Sequence, residues 1–187
     1  MSEQTNVNTD RASIVLSVLA ARLPDADAVA QEFLETALGY CGDRMQWSQD
    51  EVSIDCIRSN PCALAFFRYS IAEQISRYVG SMDETVKAVF YYDNDTMLDE
   101  DISGLPSNSA CQVHLVAWVS RKTDALQALA SALNRALATV CANTFNCFPS
   151  QHVLDMQLAD DDDIQRRVGY GALLMSLHRG CLKIWQR

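Results

Sequence analysis

The sequence contains no apolar stretch long enough to cross a bilayer, and its first residues, MSEQTNVNTD, are polar. A membrane helix needs about 20 mostly apolar residues. A secretory signal begins with basic residues and continues with an apolar run. Neither pattern occurs in this chain, so we expect a cytoplasmic protein that makes no contact with a membrane.

Basic residues are scarce, because 15 Lys and Arg stand against 24 Asp and Glu and give a formal charge of −9. Such a chain repels phosphate backbones unless its basic residues share one face. Nucleic acid is therefore disfavoured, and a protein partner or a small ligand is expected. From Ile164 onward, however, the chain carries five basic residues and no acid. We expect these charges to be neutralised within the molecule, with an acidic partner or a phosphate as the alternatives.

The seven cysteines form no C-x-x-C pair, and their number is odd. Reduced thiols that are mostly buried explain this pattern better than disulfides or a zinc cluster. With 187 residues, of which 49% are hydrophobic, the chain has enough apolar surface for one ordinary core.

Hydrophobic spacing divides the chain into a helical region, residues 1–80, and a core, residues 81–187, that together form one compact unit. Apolar residues recur at helical spacing in the first region, and β-branched and aromatic residues concentrate in the second. The expected fold class is α+β, in which a helical N-terminal part precedes a β-β-α-β-α core with a small mixed sheet. The predicted elements are two helices over 11–41, a helix over 60–80, strands over 85–92 and 111–119, a helix over 124–140, a strand over 152–159, a helix from 160–163 onward and a short strand over 181–185.

Several local signals mark where these elements begin and end. Asn60 can cap the third helix, Pro61 suits its first turn, and Gly80 can close its end. The segment GYG at 169–171 predicts an interruption of the last helix. The segment MQWSQDEVSIDCIR is compatible with a loop, a short strand or both.

An acidic connection between the first two strands is the first candidate for a metal site. Asp93, Asp95, Asp99, Glu100 and Asp101 could gather around Mg²⁺ or Ca²⁺, which both prefer carboxylate oxygens. The EF-hand pattern fails, because the segment has no glycine at the required turn and no glutamate at the last ligand position. A charged loop exposed to solvent is the simpler interpretation.

A second candidate is the acidic run that begins at Asp155, and Asp155 differs from the acids of the helix start because it stands inside the apolar strand HVLDMQL. An acid in such a strand needs a partner or a cleft lined by solvent. The strand CQVHLVAWV places Gln112 and His114 on one face, opposite Val113 and Leu115. A single histidine on an apolar strand is more often a packed residue than a catalytic one.

The second half of the chain resembles a known family in the order of its elements and in its tail, RRVGYGALLMSLHRGCLKIW. This order of elements is similar to that of the DNA polymerase beta-like nucleotidyltransferase superfamily. It consists of a strand, a loop, a strand, a long helix, a strand with an acid, and an acidic helix start. The resemblance spans roughly residues 84 to 185. In that family a glycine-serine pair follows the first strand, and an acid pair on the second strand binds Mg²⁺ together with a third acid.

The resemblance implies a candidate cleft at Gln112, His114 and Asp155, whose acid pair has been replaced. YYDND stands where the glycine-serine pair would be, the acid pair falls on Gln112 and His114, and only Asp155 matches the third acid. An amide and an imidazole are poor ligands for Mg²⁺. The expected function is therefore binding or interaction without catalysis and without a cofactor.

Two other functions stay open at the level of the sequence. An active Mg²⁺-dependent nucleotidyltransferase could use relocated acids, with Asp93, Asp95 and Asp155 as the metal ligands. A small acidic chaperone or adaptor of unrelated fold is the third interpretation. The apolar faces of the N-terminal helices could pack on the core or form the surface of a homodimer.

Overall fold

Three helices form the first part of the fold. Helix α1 spans Ala26–Met45, α2 spans Ile54–Ser59, and α3 spans Pro61–Met82. The predicted helix that precedes α1 lies outside the described residues. The computed structural model describes residues 26–48, 51–92, 111–145, 153–176 and 180–187.

Polar side chains define the starts of α2 and α3. The Ser53 hydroxyl accepts the N–H of Cys56 at 3.2 Å, and the Asn60 side chain accepts the N–H groups of Cys62 and Ala63 at 3.0 and 3.2 Å. Both caps satisfy donors that have no partner within a helix. The cap at Asn60, followed by Pro61, is confirmed. The interpretation of residues 45–58 as loop or strand is wrong for the part that forms α2.

Gly80 does not end α3, which continues to Met82. A side chain at Gly80 would collide with the indole of Trp185. The glycine therefore allows the last strand of the sheet to approach the helix closely. The prediction that Gly80 closes the helix is wrong because the residue serves a tertiary contact.

Within the described residues, four strands form one sheet, in the order β3-β2-β1-β4. Strands β1 and β2 are antiparallel, β1 and β4 are antiparallel, and β2 and β3 are parallel. The sheet is therefore mixed, as predicted. The strands are β1 Val86–Tyr92, β2 Val113–Val119, β3 Leu154–Ala159 and β4 Leu182–Gln186.

Helix α4, Asp124–Phe145, connects the parallel pair β2 and β3. Its residue Asn134 accepts the N–H groups of Val153 and Leu154 at 3.0 and 2.9 Å. One amide on the helix therefore fixes the point where β3 enters the sheet. This contact positions Asp155, which is the next residue.

Two short helices, α5 Asp161–Arg166 and α6 Gly169–Leu174, follow β3. The Asp160 carboxylate caps α5 by accepting the N–H of Asp163, and the Asp163 carboxylate accepts the N–H of Asp160. This reciprocal pair is a capping box. The chain turns at Arg167, in the left-handed conformation. The predicted interruption is present, but it falls at Arg167 and Val168, whereas the segment GYG begins α6.

The sheet separates two apolar clusters. The main cluster is formed by α1, α3, α4 and one face of the sheet. The helical region therefore shares its core with the strands. On the opposite face, α5 and α6 cover a smaller cluster. The α+β fold class is confirmed.

In the described part of the chain, no helix is long and apolar enough to span a membrane. The largest fully buried side chains are Phe67, Leu34, Ile57, Ile71, Ile75, Leu115, Leu126, Leu133, Leu137, Val79, Val86 and Val89.

Candidate functional site

Strand pairing brings Tyr92, His114 and Asp155 side by side. Tyr92 is opposite His114 in the antiparallel pair, and His114 is opposite Asp155 in the parallel pair. The neighbours of His114 along β2, Val113 and Leu115, belong to the main core. Because successive side chains on a strand alternate between faces, the three residues lie on the face that α5 and α6 cover.

The Asp155 carboxylate binds two neighbours. Its Oδ2 lies 3.2 Å from Nδ1 of His114, and its Oδ1 accepts a hydrogen bond from Nε2 of Gln157 at 2.6 Å. An ionised carboxylate only accepts hydrogen bonds, so the contact with His114 requires a proton on Nδ1. The side chains of His114 and Asp155 are 15% and 30% exposed. The pair is therefore within reach of a ligand.

Tyr92 forms the aromatic border of this site. Its ring lies 5.3 Å from the His114 ring, with an angle of 39° between the planes. Burial raises the pKa of Tyr92 most, and the charge of Asp155 and a hydrogen bond with Tyr170 raise it further. The phenol therefore stays protonated at neutral pH and can serve as a hydrogen-bond donor.

Helix α6 and the start of β4 close the site on one side. Tyr170, Leu173 and Leu174 pack against the smaller cluster, together with Cys181. Burial raises the pKa of the Cys181 thiol, so this cysteine is protonated at neutral pH and a poor nucleophile. We name Tyr92, His114, Asp155, Gln157 and Tyr170 the polar cluster.

Ion pairs fasten α5 over the same face of the sheet. Lys87 Nζ lies 2.7 and 2.6 Å from the two carboxylate oxygens of Asp161, and Trp118 Nε1 donates to that carboxylate at 2.8 Å. The hydrogen bond from Lys87, followed by that from Trp118, lowers the pKa of Asp161. Lys122 pairs with Asp163, and its hydrogen bond lowers the pKa of that acid. The acids at this helix start therefore bind the sheet as well as complementing the helix dipole.

The structure brings together two of the three residues predicted for the cleft. His114 and Asp155 are in contact, whereas Gln112 lies half-buried just before β2, two positions from His114. Asp93 and Asp95, the alternative metal ligands, lie outside the described residues. Among the described residues, no group of three or more His, Cys, Asp or Glu side chains is placed to hold a metal ion.

Sequence reasoning missed three members of the polar cluster. Gln157 follows Asp155 by two positions on one strand, so alternation alone could have placed it on the same face. Tyr92 was recognised only as a strand residue. Tyr170 gave no signal, because it reaches the site through the turn between α5 and α6.

Comparisons with known proteins add no relative. No family model matches the sequence, and no curated protein or solved structure matches it.

Proposed function

We propose that this protein is a nucleotidyltransferase-like domain that has no transferase activity and acts as a binding or interaction protein. The polar cluster is its binding site, for a small ligand or for a side chain of a partner protein. The observation that supports this proposal is the use of the Asp155 carboxylate, which His114 and Gln157 engage from both sides.

The chemistry of these contacts disfavours a divalent cation at Asp155. Mg²⁺ requires several oxygen ligands in octahedral geometry and prefers anionic ones. At Oδ2 it would meet the N–H of His114, and at Oδ1 the amide N–H groups of Gln157. These donors stabilise the carboxylate and compete with the metal for its lone pairs.

The same contacts suit recognition of a polar ligand. Strands β1, β2 and β3 carry the groups, so their positions are fixed by the sheet. The cluster offers aromatic faces at Tyr92 and His114, and a carboxylate that is partly exposed. Few polar groups on a mostly apolar face are typical of a small-molecule site.

Calorimetric titration with ATP and the other nucleotides, with and without Mg²⁺, tests the proposal. We expect that any heat of binding is independent of Mg²⁺ and that no nucleotide is turned over. Substitution of His114 by leucine removes the imidazole from the cluster and should weaken whatever binding is seen. Metal-dependent turnover that is lost in Asp155→Asn would refute the proposal.

The same experiment addresses the second candidate, an active transferase that uses Mg²⁺ with Asp93, Asp95 and Asp155. One observation favours it: β1 ends at Tyr92, beside His114 and close enough for the charge of Asp155 to affect the Tyr92 pKa. The residue after Tyr92 is Asp93. Turnover that depends on Mg²⁺ and is abolished both by Asp93→Asn and by Asp155→Asn would establish this candidate.

A further inference from the structure

A polar groove lies at the opposite end of the sheet from the polar cluster. Its volume is about 430 Å³. It is lined by the end of α3, the segment between α3 and β1, the segment between β2 and α4, the first turn of α4, and Arg187. Strand β1 begins directly after Thr85, which lines the groove, and ends at Tyr92. At about 3.3 Å per residue, the two sites are roughly 20 Å apart, so the groove is a separate feature.

Arg187 places a fixed positive charge in this groove. Its guanidinium donates to the carbonyl oxygens of Val86 at 3.2 Å and Asp83 at 3.1 Å, and also to the carbonyl of Gly80. Carbonyls orient a guanidinium but do not neutralise it. Among the described residues, no carboxylate pairs with Arg187, and its Nη1 makes no hydrogen bond. This nitrogen can donate to a ligand.

Arg121 adds a second positive charge. It is exposed in the turn after β2 and lines the groove. Its neighbour in sequence, Lys122, is paired with Asp163, but Arg121 has no such partner within the described part of the chain. No described residue occupies the N–H donors of its guanidinium, so all of them can bind a ligand.

Two acids line the same groove. Asp83 accepts the N–H and the hydroxyl of Thr85 at 2.8 and 2.7 Å through one oxygen, Oδ1. Glu84 is exposed and forms no ion pair with another described residue. Opposite charges thus share one small groove, and they do not pair with each other across it.

We propose that this groove binds a small zwitterion of the amino-acid class. Arg121 and Arg187 hold the ligand carboxylate, because guanidinium groups bind carboxylates through parallel hydrogen bonds. Glu84 and the free oxygen of Asp83 hold the ammonium group. The volume falls within the range of small-ligand pockets, about 300 to 1,000 Å³. A simple anion would leave the two acids unpaired, and a simple cation would leave the two arginines unpaired.

Calorimetric titration of the full chain with a panel of standard L-amino acids tests this assignment. Acetate and methylammonium serve as probes that carry one of the two charges each. We expect at least one amino acid to bind, and each single-charge probe to bind at least about tenfold more weakly. Failure of every amino acid to bind would overturn the proposal. Acetate binding as tightly as the best amino acid would replace it with a plain anion site.

Variants locate the binding in the groove. Arg121→Gln and Glu84→Gln change exposed side chains, so the fold should survive, and each should weaken amino-acid binding at least about tenfold. Arg135→Gln is the matched control, because Arg135 is an exposed residue of α4 outside the groove. Binding that survives Arg121→Gln, or that falls equally in Arg135→Gln, would contradict the assignment.

Discussion

Nδ1 of His114 and Oδ2 of Asp155 lie 3.2 Å apart on paired positions of two parallel strands. The pairing continues from Val113 opposite Leu154 to Trp118 opposite Ala159. A shift of one residue would turn Asp155 towards the main core and bury its carboxylate among apolar side chains. The apolar faces of β2 and β3 therefore fix the relationship between the imidazole and the acid.

Introducing two acids at positions 112 and 114 should create a metal site. In the double variant Gln112→Asp and His114→Asp, carboxylates replace the imidazole that contacts Asp155 and the amide two positions before it. Three carboxylates in proximity repel one another, so the variant should lose stability without metal and regain it with Mn²⁺ or Mg²⁺. Thermal unfolding with and without the metal measures this response.

The matched control is the double variant Gln112→Asn and His114→Asn, which has similar side-chain sizes and no added charge. Its melting temperature should not respond to the metal. A wild-type protein that already gains stability from Mg²⁺ would contradict the expectation.

Removing the side chain of Asn134 should loosen the start of β3. The variant Asn134→Ala leaves the N–H groups of Val153 and Leu154, both partly buried in this contact, without their acceptor. An unsatisfied buried donor costs about 1 to 3 kcal/mol, and we expect urea unfolding to show a loss of this size. Asn134→Asp keeps an acceptor oxygen and should lose less. Equal losses in both variants would show that the hydrogen bonds are not the cause.

Substitution of Gly171 should separate α5 from α6. A Cβ at this position would collide with the backbone of Asp163 and Ile164, and backbone atoms cannot move aside as a flexible side chain can. We expect Gly171→Ala to lower the free energy of unfolding by about 1 to 3 kcal/mol, measured by chemical denaturation.

A second glycine provides the comparison. Gly39 lies within α1, and a Cβ there meets no other atom within 4 Å. Gly39→Ala should raise stability by about 0.5 to 1 kcal/mol, because alanine favours the helix. A stabilising Gly171→Ala would exclude the close approach of α5 and α6.

The contact between Asp161 and Lys87 predicts a dependence of stability on pH. The pKa of Asp161 is lowered in the folded state, so its contribution is present above the unfolded pKa, about 3.9. That contribution is lost as the pH falls through the folded pKa. Both side chains are substantially exposed, at 41% and 53%, so solvent limits the contribution to below about 1 kcal/mol.

Urea unfolding of the wild type and of Asp161→Asn measures this effect. The variant should be less stable at neutral pH, and the difference should shrink as the pH falls through the folded pKa of Asp161. Asp43→Asn changes an exposed acid of α1 and should show a smaller effect. A difference between wild type and Asp161→Asn that does not change with pH would contradict the assignment.

The buried residues of an element could be predicted from the sequence where its apolar side chains lie on one face. Val113, Leu115, Ala117 and Val119 alternate along β2, and all belong to the main core. The cap at Asn60 was equally visible, because it depends on residues that are adjacent in sequence. Helix α2 also carried a local signal, Ser53 before Ile54 and Ile57, but it spans only six residues and is too short for its period to stand out.

Glycines were misinterpreted because their reasons lie elsewhere in the chain. Gly80 admits the ring of Trp185, and Gly171 admits the backbone of Asp163. Local rules assign a glycine to a helix end or an interruption, whereas close packing depends on what approaches it. The same difference holds within the polar cluster. Asp155 could be predicted from its own strand, whereas Tyr170 could not, because it comes from a helix elsewhere in the chain.

The close contact between Trp185 and Gly80 has a consequence for the synthesis of the protein. Residues 182–186 leave the ribosome after the helices and the other strands of the described chain have emerged. Until then β1 has one unpaired edge, which is a template for pairing with another chain, and α3 has an uncovered surface at Gly80. The nascent protein therefore exposes this edge of β1 to association until residues 182–186 have emerged and pair with it.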